Sequence, residues 1–228
     1  MHFEDLNWQQ VEEYLHHDDR VMLILGACEQ HSTLSLLTDS KIPLALADAA
    51  AKKTNVLIAP PLHFGVSPYF LSYPGTISLR MQTYINVVED IVRSLHGYGF
   101  KRILILNGHG GNTAVRTSLV ELANQLPDMR LRWYAWWLSP AAVQFAQQHQ
   151  LFNSHANWSE NFPFTRIENT EKQDKPPVVY GPDIKGKSQT RHDVGDTSYG
   201  GVYQVPDELM QALFDLCLSE VLTLLNFD

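Results

Sequence analysis

Apolar and polar positions along the chain fall into two alternating rhythms. Val21 to Leu25 and Ile103 to Leu106 are short, wholly apolar runs, the mark of strands buried on both faces. Val56 to Ala59, stopped by Pro60-Pro61, and the aromatic-rich Leu131 to Trp137 read the same way. Between them lie segments with helical spacing. Trp8 to His17 repeats apolar residues at Trp8, Val11 and Leu15. Gln82 to His96 gathers Ile85, Val88, Ile91, Val92 and Leu95 on one face and is stopped by Gly97. Ile42 to Lys53, Thr113 to Leu126, Pro140 to Gln148 and Asp207 to Leu225 complete the helices. Strands alternating with helices predict an α/β fold, a single layered α/β/α domain over 1–228 with a mostly parallel sheet and right-handed crossovers. Asn161 to Val205, rich in Gly, Pro, Lys and Asp, breaks the rhythm. A long irregular excursion, usually functional in a compact domain, is expected there.

Composition narrows the classes. With 44% hydrophobic and 18% charged residues, a chain of 228 residues can bury one sizeable core. A formal charge of −8 argues against nucleic acid or an anionic membrane as partner. No apolar run approaches the roughly 20 residues that cross a bilayer, and the opening Met1-His2-Phe3-Glu4-Asp5 lacks the basic and apolar regions of a signal peptide. Cys28 and Cys217 alone make no disulfide framework. A cytoplasmic location is the default expectation.

Chemistry concentrates just past the strand ends, where ligands collect in open α/β sheets. Glu29-Gln30-His31, followed by Thr38-Asp39, comes directly after the first strand. Glu, His and Asp suit Zn²⁺, Mn²⁺ or Fe²⁺, although a solvated polar loop carries the same residue types. Asn107-Gly108-His109-Gly110-Gly111-Asn112 follows the third strand and opens a helix. Glycines there let backbone approach a ligand, and free N–H groups can face an oxyanion. The spacing does not match a dinucleotide fingerprint. A tight turn capped by Asn112 explains the glycines but not His109. His155 and Glu160 can serve as proton shuttle and ligand beside a metal centre, but by themselves are an unremarkable pair.

Taken in order, these motifs resemble the creatininase family of metal-dependent hydrolases. Tyr73-Pro74-Gly75-Thr76-Ile77-Ser78-Leu79 and Gly195-Asp196 belong to the same resemblance, which runs from the first strand to about Gly201. It implies a layered α/β fold, two divalent metal ions and hydrolysis of a carbon–nitrogen amide bond by a metal-bridging hydroxide. It also implies a homo-oligomer, commonly a hexamer. By position, Glu29, His31, Asp39 and His109 resemble metal ligands, with Asp39 as the bridge. Gly111 stands where creatininase itself has a ligating glutamate, which leaves Glu160 as the candidate fifth ligand. His155 resembles the family's catalytic histidine, and the amides of Gly110 and Gly111 would hold the oxyanion. Ser32, Leu34 and Ser35 replace the usual Gly, His and Pro, and Phe70 replaces a histidine, so a small amide other than creatinine is the expected substrate. Two other readings remain: ring-opening hydrolysis of a carbocyclic ketone, and a non-catalytic, metal-stabilised oligomeric scaffold.

Elsewhere, His16-His17-Asp18-Asp19 reads as a solvated helix end, and Trp133, Trp136 and Trp137 as core, with Trp136 or Trp137 able to wall a planar substrate. Cys28 reads as a buried structural thiol. Arg191-His192-Asp193 lies within reach of a substrate only if the excursion folds back over the site.

Overall fold

Two six-residue strands, β1 (Arg20–Leu25) and β3 (Arg102–Asn107), run side by side at the centre of the computed structural model. Residues 1–167, 174–179, 181–195 and 198–228 are described. The short β2 (Leu57–Ile58) lies beside β1, and β4 (Arg130–Ala135) beside β3, giving one parallel sheet in the order β2-β1-β3-β4. Val21 faces Leu57 across one seam, Arg20 to Leu25 face Arg102 to Asn107 across the next, and Arg102 to Asn107 face Arg130 to Ala135 across the last.

Alternation along the strands divides the core into two halves. Val21, Leu23, Leu25, Ile103 and Ile105 pack with residues of α1 (Trp8–Leu15), α3 (Met81–Tyr98) and α4 (Val115–Gln125). Met22, Ile24, Leu104, Leu106 and Tyr134 pack with α2 (Thr38–Thr54), α5 (Pro140–Gln148) and α7 (Asp207–Leu224). Helices on both faces explain why the central strands are apolar throughout rather than alternating. The three-layer α/β/α fold is the expected one.

Several boundaries differ from the sequence reading: α3 runs through Gly97 to Tyr98 and is capped by Gly99 in the left-handed conformation, and four other differences have a local reason. Helix α2 starts at Thr38, not Ile42, because its polar first turn is buried rather than exposed: Thr38, Asp39 and Ser40 are all inaccessible. Pro43 sits inside it and withholds the N–H that Asp39 O would accept. Strand β4 ends at Ala135, and Trp136–Leu138 form a 3₁₀ turn. Gly110–Ala114 form another 3₁₀ turn, ahead of α4. The excursion expected to be irregular contains α6 (Lys187–Val194). Only Thr190 and Val194 of α6 are buried, too few to show a periodic face in the sequence.

That helix is tied down by polar bonds. Lys175 Nζ donates to Val194 O (2.9 Å), Arg191 to Ser72 O (2.6 Å) and Tyr73 Oη to Gly195 O (2.6 Å). Asp196, in the last motif, lies outside the described residues. His16 and His17 are exposed, as the sequence suggests, whereas Asp18 and Asp19 are part-buried in ion pairs. Asp18 binds Arg20 (2.6 Å), and Asp19 binds Arg102 at the start of β3. No helix among the described residues is long and apolar enough to cross a membrane.

Candidate metal centre

Backbone contact sets the position of the first ligand candidate. A Cβ added to Gly108, at the end of β3, would lie 1.8 Å from Asp39 O. Only a glycine there lets the first turn of α2 approach the strand ends, and with it Asp39. The same approach uses the gap that Pro43 leaves in the helical ladder.

Glu29, His31, Asp39, His109, His155 and Glu160 converge beyond the carboxyl ends of β1 and β3. Glu29, His31, Asp39 and His109 are each no more than 4% exposed. Asp39 divides its oxygens, with Oδ1 3.0 Å from His31 Nε2 and Oδ2 3.0 Å from His109 Nδ1. Glu29 Oε1 stands 3.3 Å from His109 Nδ1 and 3.6 Å from His155 Nδ1. Glu160 Oε2 stands 3.6 Å from His31 Nε2 and accepts the Ala156 N–H at 2.6 Å. Three compact donor sets result: Glu29-Asp39-His109 and His31-Asp39-Glu160, which share Asp39, and Glu29-His31-His155.

Each histidine is oriented by a main-chain carbonyl. His31 Nδ1 donates to Glu29 O (3.1 Å), His109 Nε2 to Val66 O (2.9 Å) and His155 Nε2 to Gln30 O (2.8 Å). These bonds leave the other ring nitrogen directed at carboxylate oxygens. A nitrogen in that position calls for a cation between it and the carboxylate, either a proton on the ring or a metal ion. Correspondingly, Glu29 Oε2, His31 Nε2 and Asp39 Oδ2 are buried without a hydrogen-bond partner. Donor chemistry and geometry therefore fit divalent metal ions at the two sets that share Asp39.

The electrostatics agree. Burial pushes the His31 and His109 imidazoles down, but the charges of Asp39, Glu160 and Glu29 outweigh it and hold both well above the ordinary range. Burial raises the Asp39 carboxyl, yet His31 and His109 draw it far below the usual carboxylate range. A site that favours protonated histidines favours cations. His155 is the exception, since burial and the neighbouring His31 hold it below the ordinary imidazole value.

Further residues surround the cluster. Phe70 stacks on His155 with ring centroids 4.6 Å apart and planes 18° from parallel. An apolar ring thus packs against the face of this imidazole. Gln30 Nε2 lies 3.1 Å from His155 Nε2, and Ser67 Oγ 3.2 Å from His109 Nε2. Gly111 has no room for a side chain, because a Cβ would fall 2.0 Å from Val66 O and 2.5 Å from His109 Nε2. Gly110 faces open space.

The cluster forms the floor of a cavity of about 760 Å³. Trp137 lines it, whereas Trp136 is core and Trp133 packs beneath the sheet. From the late segment Asp193 reaches the cavity, while the Arg191 guanidinium lies over Tyr73 at 5.1 Å. Cys28 is half-buried; its Sγ–H donates to Gly75 O (3.2 Å), and burial raises its thiol pKa.

Fold and site together define an α/β/α protein with a buried donor set of the kind that holds divalent metals. The chain belongs to the creatininase family, whose model, described as creatinine amidohydrolase, matches residues 4–225. Members of this family are hydrolases, and the relatives are named accordingly. The chain is 25% identical over 140 residues to 3-dehydro-scyllo-inosose hydrolase of Thermotoga maritima, covering 59% of this chain and 45% of that protein. It is 30% identical over 126 residues to creatinine amidohydrolase of Pseudomonas putida, covering 52% and 48%. It is also 30% identical over 109 residues to a mycofactocin precursor peptide peptidase of Mycolicibacterium smegmatis, covering 45% and 44%. The chain thus spans about half the length of the relatives it matches. A crystal structure of creatinine amidohydrolase superposes with a TM-score of 0.85 at 21% identity, over 97% of this chain and 95% of that one, which shows the shared fold. Structures of a zinc–zinc form and a manganese form of creatininase match at 0.84 and 0.79, also at 21% identity, over 97% of this chain and 95% and 96% of theirs.

Proposed function

We propose that this protein is a metal-dependent hydrolase that cleaves a carbon–nitrogen amide bond in a small cyclic or linear amide. The observation that carries the reading is the Asp39 carboxylate shared between two carbonyl-oriented histidines, each with a carboxylate partner. Glu29, Asp39 and His109 would hold one divalent ion (Zn, Mn or Fe), and His31, Asp39 and Glu160 a second. Bound there, such ions acidify water and polarise a carbonyl.

His155 moves the proton. Its Nε2–H is committed to Gln30 O, so Nδ1, facing the cluster, is the mobile position. Held below the ordinary imidazole value, that nitrogen is free to take a proton as water attacks, and it returns the proton to the leaving amine. Water and amide become acid and amine, and His155 ends as it began. The N–H groups of Gly110 and Gly111, at the cavity wall, would receive the developing oxyanion.

A screen of amides and lactams on metal-loaded protein, read by nitrogen release, tests the reaction. Release of amine is expected from the parent, and kcat about 100-fold or more lower in His155→Ala, with metal content retained. Metal loss in that variant would make His155 a ligand, and an unchanged rate would remove it from the mechanism. The similarity to 3-dehydro-scyllo-inosose hydrolase supports a second reading, ring-opening hydrolysis of a carbocyclic ketone. Turnover of ketones without nitrogen release would select it.

A further inference from the structure

Between the donor cluster and solvent, one side of the cavity is built from α5 and the turns that flank it. Leu138, just before α5, is 64% exposed; Val143, within it, 38%; and Phe152, just after it, 56%. All three line the cavity. Apolar side chains left this open contribute little to the core, and α5 already buries Ala142, Phe145 and Ala146 against the sheet. The helix is thus apolar on two faces, one toward the core and one toward the cavity.

None of these three positions carries charge; on the excursion side of the cavity Lys185 and Asp193 pair at 2.6 Å, and Asp183 also lines it. At about 760 Å³, the cavity belongs to the size range of drug-sized ligands rather than of a single small ring.

We propose that Leu138, Val143 and Phe152 form a subsite for a large apolar substituent, aryl or branched alkyl, carried by the amide whose scissile bond lies at the donor cluster. This rests on the metal-hydrolase reading and specifies its substrate class. The substrate is an amide extended by an apolar group, not a compact polar ring.

Hydroxamates separate the two ideas, because the head group chelates a metal and the tail reports the wall. Calorimetry on metal-loaded protein is expected to show 3-phenylpropanohydroxamate binding roughly 10- to 100-fold more tightly than acetohydroxamate, the gain from burying the added aryl group. The ratio should collapse toward one in Val143→Asp and in Leu138→Ser, two exposed positions where a polar side chain leaves the core intact. Equal affinities for the two ligands in the parent protein would overturn the subsite. So would a ratio that both variants preserve. If acetohydroxamate itself does not bind, the metal reading fails, and 3-phenylpropanamide, which has no chelating head, then decides the wall alone. Its binding to the parent but not to Val143→Asp would uphold the subsite, and its failure to bind would overturn it.

Discussion

Gly108 places a ligand by what it lacks. With no side chain it lets Asp39 O come where a Cβ would stand 1.8 Å away, so the carboxylate of Asp39 reaches both histidines. Gly108→Ala must move either the end of β3 or the first turn of α2. The expected outcome is a loss of about 1–3 kcal/mol in stability, typical of overpacking, together with weakened metal binding. Gly110→Ala meets no atom within 4 Å and should unfold with the parent's midpoint. Denaturant melts of both variants check the contrast, and equal destabilisation would show that the close approach at Gly108 is not what holds Asp39. The histidines are placed by the opposite device, an added bond. Each is pinned by a carbonyl of the chain, from Glu29, Gln30 or Val66. Backbone groups have no letter in the sequence, so the six side chains that converge are legible as motifs while the atoms that aim them are not.

Among the elements, those buried on two faces announced themselves. Val21 to Leu25 and Ile103 to Leu106 are apolar at every position because helices cover the sheet above and below. Elements held by polar contacts stayed hidden. The start of α2 is a run of buried polar residues, and α6 rests on hydrogen bonds to Val194, Ser72 and Gly195 rather than on an apolar stripe. The base of the sheet follows the second pattern too, since Asp18 is paired with Arg20 ahead of β1. Burial raises the Asp18 carboxyl, but hydrogen bonds and charge from Arg20 and Arg102 prevail and lower it. A carboxyl lowered in the folded chain stabilises above its unfolded value, about 3.9, and that stability disappears as pH falls through the folded one. Asp18→Asn should therefore melt below the parent at neutral pH, and the gap should close as pH drops below about 4. A gap of constant size across that range would show that the Arg20 contact does not depend on charge.

On the scale of the whole molecule, three parts of the chain that lie far apart in sequence meet at one end of the sheet. The β1 loop brings Glu29 and His31, the β3 turn brings His109, and the segment after α5 brings His155 and Glu160. The apolar wall of the cavity comes from the same α5 region, so the groups that would react and the surface that would select the substrate share one support. The central claim is that Asp39 is common to two metal positions. Elemental analysis of metal-replete protein beside the Asp39→Ala and Glu160→Ala variants, each shown to be folded by circular dichroism, tests it most directly. The parent is expected to hold about two equivalents of divalent metal per chain, the complement of a two-metal hydrolytic site. Glu160→Ala should fall toward one, and Asp39→Ala, which touches both donor sets, should lose nearly all. An Asp39→Ala protein that kept the parent's full metal content would contradict the shared carboxylate and the site built on it.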